Sequence, residues 1–207
     1  MANASIVAPI MYLGGAADID TTKLDIKNKV VAIEASSKGI NINVSLPTWR
    51  YSRSVQAKYV MPLIRKGASA VIIIADDFAE KAWDDAAENF KRGSYDIDGG
   101  PNVNVTTTVP ILWMHANAKE SLQTNTAFIN ANIEINKYSY PSVNIIGKIN
   151  GTDPKLKEEY VLYSGHQDAH GIRNAHNNDS TYYGADDNAS VDVAMLANAR
   201  AFIKNPA

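Results

Sequence analysis

The sequence predicts an α/β protein, and three observations carry that expectation. Two short runs dense in branched apolar residues, Lys29-Val-Val-Ala-Ile-Glu34 and Ala70-Val-Ile-Ile-Ile-Ala75, have the length and composition of buried strands. The segment between them repeats apolar side chains at helical intervals through Val55, Tyr59 and Leu63. An alanine-rich run of helical period closes the sequence after Asp187.

In chain order, the strand at 29–34 follows the turn-prone Lys27-Asn-Lys29, and the strand at 70–75 follows Gly67. Residues 54–65 are expected to be helical, with a bend or restart at Pro62, which has no N–H and crowds the preceding turn. Asp76-Asp77 and Trp83-Asp-Asp-Ala-Ala-Glu88 read as a solvated helix face, and Ser94-Tyr-Asp-Ile-Asp-Gly-Gly-Pro101 as turns. Val109-Pro-Ile-Leu-Trp-Met-His115 is expected to be a strand, 118–125 a short helix, and 127–138 a strand of period two in which Phe128, Ala131, Ile133 and Ile135 mostly alternate. His115 ends an apolar strand and reads as a core or edge residue rather than a ligand.

The chemistry concentrates near the end of the sequence. Glu159-Tyr-Val-Leu-Tyr-Ser-Gly-His166-Gln-Asp168 reads as a strand over 160–164 running into His-x-Asp, and side chains two apart on a strand share a face. Some twenty residues later Gly184-Ala-Asp-Asp187-Asn-Ala-Ser190 opens a helix expected to run to about Lys204. It is expected to pack on the His166 strand through Ala189, Val193, Leu196, Ala197 and Ala201. Imidazole and carboxylate are ligands that zinc accepts. Each piece alone also fits something simpler: His-x-Asp a surface pair, Asp-Asp-Asn an ordinary helix cap. His170 and His176 fall in the intervening polar loop and read as solvated.

Together these motifs resemble the co-catalytic zinc aminopeptidases of metallopeptidase family 28, over residues 141–207. The resemblance rests on His166, Asp168 and Gly184 to Ser190, with Asn144-Ile-Ile-Gly-Lys-Ile-Asn-Gly-Thr-Asp-Pro154 similar to the family's lead-in hairpin. It implies that His166 ligates one zinc ion, that Asp187 bridges two, and that Asp168 orients His166 through the ring nitrogen turned away from the metal. It also implies a cis peptide between Asp187 and Asn188. Val191 stands where the family has glycine. The family's later Glu-Glu pair, further acidic ligand and final His have no counterpart, since only Asp192 follows Asp187 among acidic residues. Glu158 and Glu159 precede the His166 segment and receive no role.

Upstream, Lys29-Val-Val-Ala32, Arg65-Lys-Gly-Ala-Ser-Ala-Val-Ile-Ile73 and Val109-Pro-Ile-Leu112 resemble the protease-associated domain inserted in many relatives of that family. The expected organisation is a mixed α+β protease-associated domain at 1–139, then at 140–207 the truncated opening of a zinc-peptidase α/β domain.

Composition narrows the class without deciding it. A net charge of −2 and a pI near 6.1 provide no basic stripe for nucleic acid. No apolar run approaches the ~20 residues of a membrane helix, and no signal-peptide pattern opens the sequence. Without cysteine there are no disulfides. Asn43, Asn104, Asn150 and Asn178 begin glycosylation sequons in form only. The resemblance therefore implies part of a secreted or periplasmic exopeptidase that removes N-terminal residues from peptide substrates through water activated by two zinc ions. The fragment alone is expected to be inactive. The rival expectation is a non-catalytic interaction module.

Overall fold

Two strands, β2 (Val30–Glu34) and β3 (Ala70–Ile74), form the buried centre of a five-stranded sheet. Apart from Glu34 they are buried on both faces, which explains why they read as continuous apolar runs rather than alternating ones. The computed structural model describes residues 3–41, 49–98, 100, 107–176 and 178–205. The chain is of the α/β class and divides into two compact units, Met1–Ser139 and Tyr140–Ala207.

In the first unit β1 (Ala4–Gly15), β4 (Ile111–Met114) and β5 (Phe128–Ile133) complete the sheet, in the order β4-β3-β2-β1-β5. β1 to β4 are mutually parallel, with Val30 opposite both Ile10 and Ala70, and Val71 opposite Ile111. β1 serves two neighbours. Residues 4–9 pair antiparallel with β5, and from Ile10 onward it pairs with β2, so Pro9 falls where one ladder hands over to the other. No strand is expected here from the sequence, and a proline inside an Ala- and Ser-containing run gives little sign of one, since proline argues against a central strand.

Between β2 and β3 run α1 (Trp49–Val55), a π-helical turn (Gln56–Val60) and α2 (Met61–Arg65). Pro62 is accommodated at the start of α2 by this wider turn, in which the Met61 N–H donates to the Gln56 carbonyl. Proline has no hydrogen to continue the ordinary ladder, and a one-residue register change relieves the conflict. One sheet face packs Val31, Ile33, Val71 and Ile73 against Tyr51, Val55, Val60 and Leu63 of this helical layer. The other gathers Val30, Ala32, Ile72 and Ile74 with Ile6 of β1 and Leu122 of α5 (Lys119–Leu122).

α3 (Asp77–Lys81) and α4 (Trp83–Lys91) connect β3 to β4. Asp77, Asp84 and Asp85 are exposed, whereas Asp76 caps α3 by accepting the Ala79 N–H at 2.9 Å and also accepts the Tyr51 hydroxyl. Burial, then that bond to Asp76, pushes the Tyr51 phenol far above its ordinary value. His115 occupies the sheet edge as expected. It stacks on Trp83 with centroids 3.7 Å apart, and its Nδ1 lies 2.9 Å from Glu80, which also accepts the Ala116 N–H at 2.6 Å.

Several expectations are corrected. The helix expected at 118–125 is shorter, a 3₁₀ turn (Ala116–Ala118) followed by α5. The strand expected to reach 138 stops at Ile133, opposite Ala4, where the described part of β1 nears its start. Its covered residues are Ile129, Ala131 and Ile133, and Phe128 points out with 57% exposure. The sequons at Asn43 and Asn104, and positions 99 and 101 of the expected turn region, lie outside the described residues.

In the second unit β6 (Gly171–His176) and β7 (Asp179–Tyr182) form an antiparallel hairpin, followed by a π-type turn (Ala185–Ala189) and α6 (Ser190–Lys204). No strand forms at 160–164 and no hairpin at 144–154. A strand requires a partner for its backbone N–H and C=O groups. None lies beside 160–164, and Val161 and Leu162 are 81% and 86% exposed. Of the described buried residues, none belongs to this unit.

Candidate metal centre

Two glycines allow the His166 segment and the Asp187 turn to approach each other within the second unit. A Cβ on Gly165 would fall 2.6 Å from Asp192 Oδ1 and 3.2 Å from both Met195 Sδ and Val191 Cγ1, so the backbone just before His166 lies against the first turns of α6. Gly184 is left-handed, at φ 71°, and a Cβ there would fall 2.4 Å from the Cβ of Ala169. The docking face of α6 therefore includes Val191, Asp192 and Met195. That corrects the face expected from its apolar spacing, since Val193 and Leu196 are 67% and 61% exposed. Residue 191 carries a valine where the related motif has glycine, and its methyl packs on Gly165.

The α6 helix reaches Lys204 as expected but begins at Ser190 rather than near Asp187. Asp187 and Asn188 have non-helical backbone angles, and the peptide joining them is cis. The Ser190 hydroxyl donates to the Asp186 carbonyl at 2.8 Å, and the Ala189 N–H to the Gly184 carbonyl at 3.1 Å, closing the turn that presents Asp187.

His166 and Asp187 come together: Nε2 lies 3.2 Å from Asp187 Oδ1. Asp168 lies on the opposite side of the ring, with its carbonyl 3.0 Å and its Oδ1 3.2 Å from Nδ1. A hydrogen on Nδ1 satisfies the carbonyl acceptor, and with a metal bound it leaves Nε2 free to ligate beside Asp187, whereas without one Nε2 meets the carboxylate favourably only as a protonated donor. The bond to the Asp168 carbonyl, followed by the carboxylates of Asp168 and Asp187, raises the His166 imidazole above its ordinary value. The expected strand geometry is absent, so His-x-Asp converges by the ring folding back on its own segment rather than through a shared sheet face.

The donor types fit zinc, which accepts neutral imidazole nitrogen and carboxylate oxygen. The number of donors does not complete a catalytic site, which takes three protein ligands. Among the described residues no group of three or more His, Cys, Asp or Glu side chains is placed to hold a metal ion. His170 makes an edge contact with Tyr182, with centroids 6.1 Å apart. The side chain of His176 lies outside the described residues. Gly165 was missed by the sequence reading, although a glycine directly before the candidate ligand is the one available signal of a close backbone approach.

The family model of peptidase family M28 matches residues 144–207, the segment that contains this centre. The match supports a peptidase, a hydrolase of a generally zinc-dependent family. No curated protein and no solved structure matches the chain. No helix among the described residues is long and apolar enough to cross a membrane.

Proposed function

We propose that the chain is part of a zinc-dependent exopeptidase, an aminopeptidase that releases N-terminal residues from peptides, and that it acts outside the cytoplasm. The observation that carries this reading is the 3.2 Å approach of His166 Nε2 to Asp187 Oδ1 within the segment matched to peptidase family M28. His166 would ligate one zinc ion, Asp187 would bridge two, and Asp168 would hold the Nδ1 proton so that Nε2 stays free. When bound, zinc supplies a Lewis acid that polarises a carbonyl and lowers the pKa of water. The remaining donors and the general base must come from outside the described residues. Residues 1–139 would act as a protease-associated domain without catalytic groups, restricting substrate access.

The unburied state of the second unit supports its being one portion of a larger catalytic domain. Its helix and hairpin expose Val193, Leu196, Ile203 and Ile172, and apolar faces of that kind are ordinarily covered by further layers. The absence of a third donor among the described residues favours a second reading, a non-catalytic interaction module. Metal analysis and an aminoacyl-nitroanilide assay separate the two once the missing donors are supplied by a complementing polypeptide. Zinc uptake with turnover abolished by Asp187→Asn supports the peptidase. Stable complementation without zinc or turnover supports the module.

A further inference from the structure

Asn150-Gly151 is the only Asn-Gly pair in the sequence, and the proposed metal chemistry does not use it. From residue 134 to residue 153 the backbone is in neither helix nor strand, and both residues of the pair are exposed. Among the described residues neither has a hydrogen-bond partner. The first local restraint comes at Asp153, whose Oδ1 accepts the Lys155 N–H at 2.7 Å and the Leu156 N–H at 3.1 Å.

An asparagine side chain is within reach of the backbone nitrogen of the residue that follows it. Two features ordinarily keep that nitrogen from attacking the side-chain carbonyl carbon: a hydrogen bond that fixes the backbone, and the Cβ of the following residue, which crowds the approach. Glycine removes the second, and the open backbone at 150–151 removes the first. Asparagines elsewhere keep both. The nitrogen after Asn28 belongs to Lys29 and donates to the Ile26 carbonyl at 3.0 Å, and the nitrogen after Asn117 belongs to Ala118 and donates to the His115 carbonyl at 3.0 Å.

We propose that Asn150 is a site of spontaneous covalent modification, converted to aspartate and isoaspartate through a cyclic imide formed with Gly151. The Gly151 nitrogen attacks Cγ of Asn150, a C–N bond forms, the Cγ–Nδ2 bond breaks, and ammonia leaves with the proton from the Gly151 nitrogen. Water then opens the ring at either carbonyl. Opening on the backbone side restores an ordinary peptide with a carboxylate side chain, and opening on the other side places the side-chain methylene in the backbone. The net reaction consumes one water, releases one ammonia and adds one negative charge within the segment matched to peptidase family M28.

The test is incubation of the 207-residue chain at neutral and at mildly alkaline pH, followed by trypsin and mass spectrometry of peptide 149–155, beside a synthetic peptide of the same seven residues. The expected result is a gain in mass from NH2-to-OH exchange at Asn150, with isoaspartate and aspartate products separated by chromatography, and a faster rate at the higher pH because the attacking nitrogen must lose its proton. The rate in the chain should lie within about threefold of that in the peptide, since opening a segment that lacks partners costs almost nothing. Gly151→Ala should slow the reaction at least about tenfold in both chain and peptide, one decade of rate for about 1.4 kcal/mol of added barrier. Alanine fits there, because its Cβ would meet no atom nearer than the Lys157 Cα at 3.8 Å, and the peptide gives the same ratio free of any fold. The proposal is overturned by an Asn150 that stays intact or reacts more than about threefold slower than in the peptide, by equal modification at Asn28 or Asn117, by aspartate without isoaspartate, which marks direct hydrolysis, or by a rate indifferent to Gly151→Ala.

Discussion

Nδ1 of His166 has two acceptors on one residue, the carbonyl and the carboxylate of Asp168, and only the carbonyl survives substitution. The Asp168 side chain is 87% exposed, so water readily replaces it. Asp168→Ala is therefore expected to lower zinc affinity by about tenfold, the lower end for a residue that orients a ligand. His166→Ala should remove binding altogether, and calorimetric titration of both variants checks the order. Gly184 allows a sharper prediction. Alanine there must adopt φ 71° and place its methyl 2.4 Å from Ala169, a strain of about 1–3 kcal/mol. The turn presenting Asp187 should move away from His166, weakening zinc binding at least about fivefold by that strain alone. Gly147→Ala, which meets no atom within 4 Å, should bind as the parent does.

At the scale of elements, Glu80 joins α3 to the end of β4, and its carboxyl is held below its ordinary 4.5 by the Ala116 N–H and then by His115. A depressed carboxyl contributes stability that is complete above its unfolded value and is lost as pH falls through the lower folded value. Thermal unfolding of the parent should therefore weaken below about pH 5 more steeply than that of Glu80→Gln, which has no such proton to gain. Leu63→Ala removes an α2 side chain only 1% exposed in the core on one sheet face and should cost about 2–5 kcal/mol, measured by urea unfolding. Both depend on elements that the sequence revealed unequally. β2 and β3 were legible because strands buried on two faces carry unbroken Val and Ile runs, and Pro62 announced a disturbance whose form, a π-helical turn, it left open. β1 was hidden by Pro9 and by its change of partner. In the second unit the motif residues were legible, and His166 and Asp187 do converge. The route was not, because a strand's identity depends on neighbours that its own residues do not encode, and because Gly165 selects a face of α6 that apolar spacing alone misassigned.

For the whole molecule, the contrast between a unit with two packed sheet faces and a unit with no buried residue among those described has a direct consequence. Amides of β2 and β3 should exchange with solvent only on global unfolding, while those of 141–170 should exchange within the shortest labelling times. Slow exchange throughout 160–164 would mean that this segment finds a strand partner after all. The central claim is that His166 and Asp187 are two donors to one metal centre whose other donors lie elsewhere. Zinc titration of the dialysed 207-residue chain tests it most directly, beside His166→Ala and Asp187→Asn. Weak binding is expected, removed by His166→Ala and strongly reduced by Asp187→Asn, with no turnover of an aminoacyl-nitroanilide, because a catalytic zinc site takes three protein ligands and two are present. Tight uptake of zinc, or weak uptake indifferent to both substitutions, would contradict it.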